Sequence, residues 1–172
     1  MSFNRPLFLA LTVFAIAAAS IAGALIFEAL GYAPCELCLK ERIPYYAGIA
    51  LSGLAAAFAA WGKARFLRAA FFALALIFAG SAVFGAYHAG VEWGFWPGPQ
   101  ACSGVLKRAE TVAEFLAQLE NVKVVRCDAP ALTILGLSLA GWNALISAGL
   151  SALSLAGLSA NNARSRARLI PQ

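Results

Sequence analysis

Four long, nearly uncharged apolar runs dominate this 172-residue chain and leave it few ways to fold. Residues 7–27 contain no charged side chain. A helix needs about 20 apolar residues to cross the hydrocarbon core of a bilayer. Further runs cover 43–61, 66–88, where Arg68 is the one charge near the start, and 131–158. The last exceeds the minimum, so it is expected to be tilted or frayed. Inside a bilayer the backbone must satisfy its own polar groups, and a run of this length does so as a helix. Hydrophobic residues make up 62% of the chain and charged ones 12%, against roughly 45–50% and 25% in soluble domains. The expected fold class is an all-α membrane protein, a four-helix transmembrane bundle forming one domain over residues 1–172. A cleaved signal peptide is the competing reading of the first run, because Arg5 precedes it and Ala17, Ala18, Ala19 and Ser20 cluster within it. The run continues beyond that cluster, past the ~7–15 residues of a signal-peptide core, which favours a retained span.

Charge distribution orients the spans. Arg5, then Lys63, Arg65 and Arg68, then Arg164, Arg166 and Arg168 lie on one side with no acidic residue among them. The two opposite loops, 28–42 and 89–130, hold the other basic residues and all eight acidic ones. Cytoplasmic segments of membrane proteins are enriched in Lys and Arg. The termini and the 62–65 turn are therefore expected to be cytoplasmic, with both loops outside. The net charge of +5 reflects this asymmetry and gives no reason to expect a nucleic-acid partner.

All four cysteines fall in the two outer loops: Cys35 and Cys38 in the first, Cys102 and Cys127 in the second. Outside the cytoplasm disulfides form and persist. Four cysteines allow three pairings; local geometry favours Cys35–Cys38 and Cys102–Cys127 without establishing them. The Cys-x-x-Cys pair is followed by Arg42, and a nearby cation raises the fraction of reactive thiolate. If Cys38 and Arg42 are both helical they share a face. Pro44, a residue suited to a first helical turn, instead suggests a helix beginning near Arg42, with a turn bringing the two together. Arg42 could equally serve as an interfacial anchor. Trp93 to Pro99 combine bulky aromatics with helix breakers and are expected along the headgroups. A capping-box pattern at Thr111–Glu114 and apolar residues at helical spacing predict a short amphipathic helix over about 112–120. It would lie on the membrane or pack on the bundle.

Together these features resemble the DsbB family of bacterial disulfide bond formation proteins. The residues that carry the resemblance are Cys35-Glu36-Leu37-Cys38 with Glu41-Arg42 behind it, Tyr87-His88-Ala89-Gly90-Val91-Glu92-Trp93 at the end of the third span, and the cysteine pair of the second outer loop. The resemblance implies a bacterial inner-membrane oxidoreductase with cytoplasmic termini and periplasmic cysteine loops. It implies redox disulfides Cys35–Cys38 and Cys102–Cys127. A DsbA-type thioredoxin-fold oxidase would deliver electrons through a mixed disulfide at Cys102, and Cys127 would exchange with Cys35. Cys38 would then reduce a bound quinone, ubiquinone or menaquinone, as a thiolate–quinone adduct. Arg42 would stabilise the thiolate and a reduced quinone oxygen, and His88 would bond the quinone or relay a proton. Glu41 and Glu92 are expected to be solvated or paired with nearby bases, without a catalytic role. Trp142 and Asn143 are expected to serve packing and interhelical hydrogen bonding.

Other readings fit less well. A vitamin K epoxide reductase-like quinone reductase would carry its loop cysteines before the Cys-x-x-Cys pair, whereas here they follow it. A zinc protein with four cysteine ligands would need a second close pair, but Cys102 and Cys127 stand far apart in sequence, so no metal is expected. A transporter with structural disulfides would be expected to carry buried charges or broken helices along a pathway.

Overall fold

The structure, a computed structural model, describes residues 4–98, 111–113, 116 and 127–167. Four helices account for most of it: α1 (Arg5–Ala29), α2 (Glu36–Ala60), α3 (Ala64–Glu92) and α4 (Leu139–Ala167). Each includes a stretch long and apolar enough to cross a membrane. They pack in a ring, α1 against α2, α2 against α3, α3 against α4 and α4 back against α1. This is the four-helix transmembrane bundle that the apolar runs predict.

The buried positions show how each helix finds its inner face. In α1 they are Pro6, Ala10, Val13, Ala17 and Ile21, a stripe at helical spacing. Phe8, Leu11, Leu25 and Ile26 point outward and are about half exposed, as lipid-facing side chains would be. Lipid is as apolar as leucine, so association rests on close packing and interhelical hydrogen bonds. Phe78 of α3 seats on Gly48 of α2, and Phe71 of α3 seats on Gly157 of α4, with no room for a Cβ at either glycine. At Gly85 a Cβ would stand 2.9 Å from the backbone nitrogen of Ala144 in α4. A polar cluster bridges three helices at mid-bundle. The Tyr45 hydroxyl donates to Asn143 Oδ1 at 2.7 Å and lies 3.0 Å from Ser147 Oγ, which is 2.9 Å from Ser81 Oγ. Asn143 thus has the interhelical role expected of it.

Two boundaries differ from expectation. The second helix begins at Glu36, seven residues before the apolar run, so Cys38 and Arg42 both lie on a regular helix and Pro44 sits inside it. The physical reason is the cap: Cys35 has extended backbone and its sulfur accepts the backbone N–H of Cys38 at 3.2 Å. The fourth helix starts at Leu139, and the excess length of its apolar run is spent on a hairpin. Strands β1 (Thr133–Ile134) and β2 (Leu137–Ser138) pair antiparallel, Thr133 opposite Ser138 and Ile134 opposite Leu137. Leu135 and Gly136 turn between them with φ of 53° and 78°, the left-handed pair that a two-residue hairpin loop requires. Trp142 Nε1 donates to Ile134 O at 2.9 Å and pins the hairpin to α4.

The third helix runs on to Glu92, past the expected end of its span. Its exit is clasped by the Trp-rich segment. Trp96 Nε1 donates to Tyr87 O at 2.9 Å, the two rings stack with centroids 5.9 Å apart, and Gly90 lies flush beneath the indole. Trp93, Phe95 and Trp96 are all exposed. The helix expected over about 112–120 lies largely outside the described residues; Val112, Ala113 and Leu116 are helical.

Close approach at Gly85 makes a stability prediction. Gly85→Val is expected to destabilise the bundle by about 1–3 kcal/mol through overpacking. Gly149→Ala, where a Cβ meets nothing within 4 Å, should stay within about 0.5 kcal/mol. Thermal unfolding in detergent compares the two.

Candidate redox site

Helix α2 opens with the Cys-x-x-Cys pair, and the cap geometry decides where each sulfur points. Cys35 is the N-cap residue and is buried; Cys38, one turn on, is half-buried. Both are free thiols, with sulfurs 2.8 Å apart. A disulfide closes at about 2.05 Å, so the expected bond is here in its reduced form. Little movement separates the two states.

Helix α3 supplies the other half of the site. His88 is buried, with Nε2 3.6 Å from Cys35 Sγ and Nδ1 2.9 Å from Glu41 Oε1. Glu41, one turn after Leu37 on the inner stripe of α2, is itself buried. Cys35, His88 and Glu41 thus form a continuous chain across the α2–α3 contact. The expectation that Glu41 is solvated does not hold; its pairing with a base does, and that base is His88. Sequence reasoning passed over this partnership because 47 residues separate the two. The signal available was spacing, since Glu41 lies four residues from both Leu37 and Tyr45 on the buried face. Glu92, at the end of α3, takes a hydrogen bond from Ser138 of the hairpin and keeps Oε2 buried without a partner.

Cys127 completes the cluster. It is buried and packs with Cys35 and Leu37, with Cys38 and Phe84 at the edge. It is disulfide-bonded, and the other half of that bond lies outside the described residues, as does Cys102. The Cys127 sulfur thus belongs to the same buried cluster as the Cys-x-x-Cys pair.

Electrostatics favour a thiolate at Cys35, which lies just before the second span. The Cys38 thiol donates to it, and His88 adds a second hydrogen bond. Against the opposing effect of burial, these lower the Cys35 pKa from 9.0 to about 4. Its place at a helix N-terminus acts in the same direction.

Arg42 is tied to α1. Its Nη1 bonds Glu28 Oε2 of α1 at 2.7 Å, and it is largely buried, with 13% of its side chain exposed. It is thus more than a snorkelling anchor. Beside it a cavity of about 370 Å³ runs between α1, α2 and α4. Its α1 wall carries Ala19, Ser20, Ile21, Gly23, Ala24 and Phe27, its α4 wall includes Trp142, Asn143 and Ile146, and its α2 wall is Cys38, Glu41, Arg42 and Tyr45. His88 is not among its lining residues. The structure therefore brings Cys35, Cys38, Cys127 and His88 together, and places Arg42 with Cys38 on the cavity side.

The family model of disulfide bond formation protein DsbB matches residues 5–157 of the chain. The chain belongs to the DsbB family. Membership and the four helices make it a multi-pass membrane protein, in a family whose chemistry is the making of disulfide bonds. An uncharacterized protein of Rickettsia prowazekii (strain Madrid E) is 26% identical over 117 residues, covering 67% of this chain. The matched region spans 65% of that relative's length. No solved structure matches the chain.

The Cys35 environment predicts a pH profile. Its thiolate is present above a pKa of about 4, so in a Cys102→Ser/Cys127→Ser background thiolate absorbance should persist from about pH 9 down to about 6 and fade only towards pH 4. Cys38→Ala removes the largest stabilising hydrogen bond, and the fade should then move to higher pH.

Proposed function

We propose that the protein reoxidises a DsbA-type thiol oxidase outside the cytoplasmic membrane and delivers the electrons to a membrane quinone. The observation that carries this reading is the seating of disulfide-bonded Cys127 in the same buried cluster as Cys35. Thiol–disulfide exchange needs sulfurs of the two pairs within reach of each other, which Cys35 and Cys127 meet, and a stabilised Cys35 thiolate is a good leaving group when the outer disulfide re-forms. The orientation follows from the basic residues on the side of the termini, which leaves the cysteine loops facing the periplasm of a bacterial inner membrane.

The cavity fits a quinone ring. Its volume of about 370 Å³ falls within the roughly 300–1,000 Å³ of small-molecule sites, and such sites are mostly apolar with a few placed polar groups. Its wall is largely apolar, with Cys38, Glu41 and Arg42 at its α2 side and Asn143 at its α4 side. A bound quinone would supply a two-electron, two-proton acceptor. Cys38, Arg42 and Tyr45, with Trp142 and Ile146 opposite, would hold it.

The chain's own residues divide the remaining work. Cys102 takes the partner's thiolate in a mixed disulfide, and resolution of that bond forms the partner's disulfide and leaves Cys102 and Cys127 reduced. Attack by the Cys127 thiolate on the Cys35–Cys38 disulfide passes two electrons inward and releases Cys38 as the leaving thiolate. Return of Cys102 to Cys127 re-forms the outer disulfide and frees Cys35. His88, bonded to Cys35 on one side and to Glu41 on the other, holds a proton beside that sulfur. Glu41 fixes the imidazole, and the Glu28 carboxylate holds Arg42 at the cavity. His88 thereby fits the proton-relay role better than direct contact with a quinone.

Purified protein given a reduced DsbA-type donor and quinone should turn over, followed by the loss of quinone absorbance. Cys38→Ser and Cys35→Ser are expected to abolish quinone reduction, and Cys102→Ser to block electron delivery from the partner. Full turnover by the Cys38→Ser protein would exclude this mechanism.

A further inference from the structure

The site that faces a disulfide partner also has the makings of a metal chelate. The sulfurs of Cys35 and Cys38 and a ring nitrogen of His88 all lie within 4.8 Å of one another, and the three are the one such cluster of His, Cys, Asp or Glu ligands among the described residues. We propose that the reduced protein binds one zinc-like divalent cation through Cys35, Cys38 and His88, and that oxidation of the pair abolishes the site. The proposal goes beyond the quinone reading and requires neither a quinone nor a partner protein.

Geometry supports it. A tetrahedral zinc ion about 2.3 Å from sulfur and about 2.0–2.1 Å from nitrogen sets S···N near ~3.5 Å and S···S near ~3.8 Å. The Cys35 Sγ to His88 Nε2 distance is 3.6 Å, already the required separation. The two sulfurs, 2.8 Å apart, must open by about 1 Å, and Cys38 has the cavity on its side to move into.

Orientation supports it independently. Zinc-bound imidazoles usually donate their second N–H to a carboxylate, which fixes the tautomer and the ring plane. Glu41 Oε1 stands 2.9 Å from His88 Nδ1. With that N–H donated, the Nε2 lone pair points at Cys35. Two thiolates neutralise a dication, so the burial of Cys35 and His88 costs less than it would for an unpaired charge. Binding displaces to solvent whatever protons the two sulfurs and Nε2 carry. The fourth position opens towards the cavity through Cys38 and is left to water or a small ligand. No electron is transferred. In the oxidised protein both sulfurs are committed to the S–S bond and a single imidazole remains, so the site reports redox state. A bound ion in turn holds the pair reduced and blocks attack by either sulfur.

Cobalt makes the site visible. Full-length protein in detergent, reduced and freed of reductant under anaerobic conditions, is titrated with Co²⁺, first in a Cys102→Ser/Cys127→Ser background so that only Cys35 and Cys38 are thiols. One equivalent should give thiolate-to-cobalt charge-transfer bands with intense tetrahedral d–d bands, and Zn²⁺ should bleach both. Protein oxidised at Cys35–Cys38 should give neither. Cys35→Ser, Cys38→Ser and His88→Gln should each weaken binding at least ~100-fold, and Glu41→Gln by roughly 10–100-fold. Helix content by circular dichroism identifies any variant that has lost its fold. Wild-type protein gives a second readout: Zn²⁺ should protect Cys35 and Cys38 from alkylation, resolved by peptide mass. Absence of charge-transfer bands in the reduced, folded protein would overturn the proposal. So would bands that survive Cys35→Ser together with Cys38→Ser, or alkylation of both cysteines at unchanged rate with Zn²⁺ present.

Discussion

One imidazole joins the two halves of this molecule. His88 reaches from α3 into the start of α2, with Cys35 on one nitrogen and Glu41 on the other. Buried polar groups must find partners, and in a bundle without a hydrophobic force between helices such contacts set which faces meet. The packing of α2 on α3 at this end is therefore not separable from the chemistry. A rotation of α2 that moved Glu41 off the inner stripe would carry Cys35 away from the ring and orphan a buried histidine. The fold and the redox pair share one constraint.

Much of this architecture was legible from residue patterns. The four spans follow from the length of the apolar runs, and the cluster of Arg and Lys at the 62–65 turn and the tail gives an orientation. What periodicity could not reveal was where helices begin. Pro44 reads as a first-turn residue, yet α2 has completed two turns before it, because the Cys35 sulfur caps the helix and offsets a proline deeper inside. Likewise the run from residue 131 reads as one helix. Gly136 was the sole local clue to the hairpin, and its partner in the turn is a leucine in the left-handed region.

The site was legible in parts. Cysteine spacing exposes Cys35 and Cys38, whereas His88 draws its role from the family resemblance, since a lone histidine at the end of a span reads as structural. Glu41 was hidden, because a carboxylate at a membrane boundary reads as solvated until a distant histidine is placed beside it. Arg42 was read for its position relative to Cys38, whereas the structure adds a tether from α1: Glu28, outside the first uncharged run, holds the guanidinium. Long-range pairs of this kind leave no mark in local patterning, because neither residue is exceptional alone.

The thin wall of the cavity has a physical consequence of its own. Where α1 faces it, Ala19, Ser20, Gly23 and Ala24 accompany the bulkier Ile21 and Phe27, so most of that wall has little bulk to swing aside and few rotamers to freeze. A lipophilic occupant could slip in sideways from the acyl chains without ever crossing water. Its encounter with Cys38 would then be governed by diffusion in a plane, set by amount per area of membrane, while the cysteines of the outer loops meet their reactants in a volume. Two sites at one end of a small bundle would answer to two different kinds of concentration.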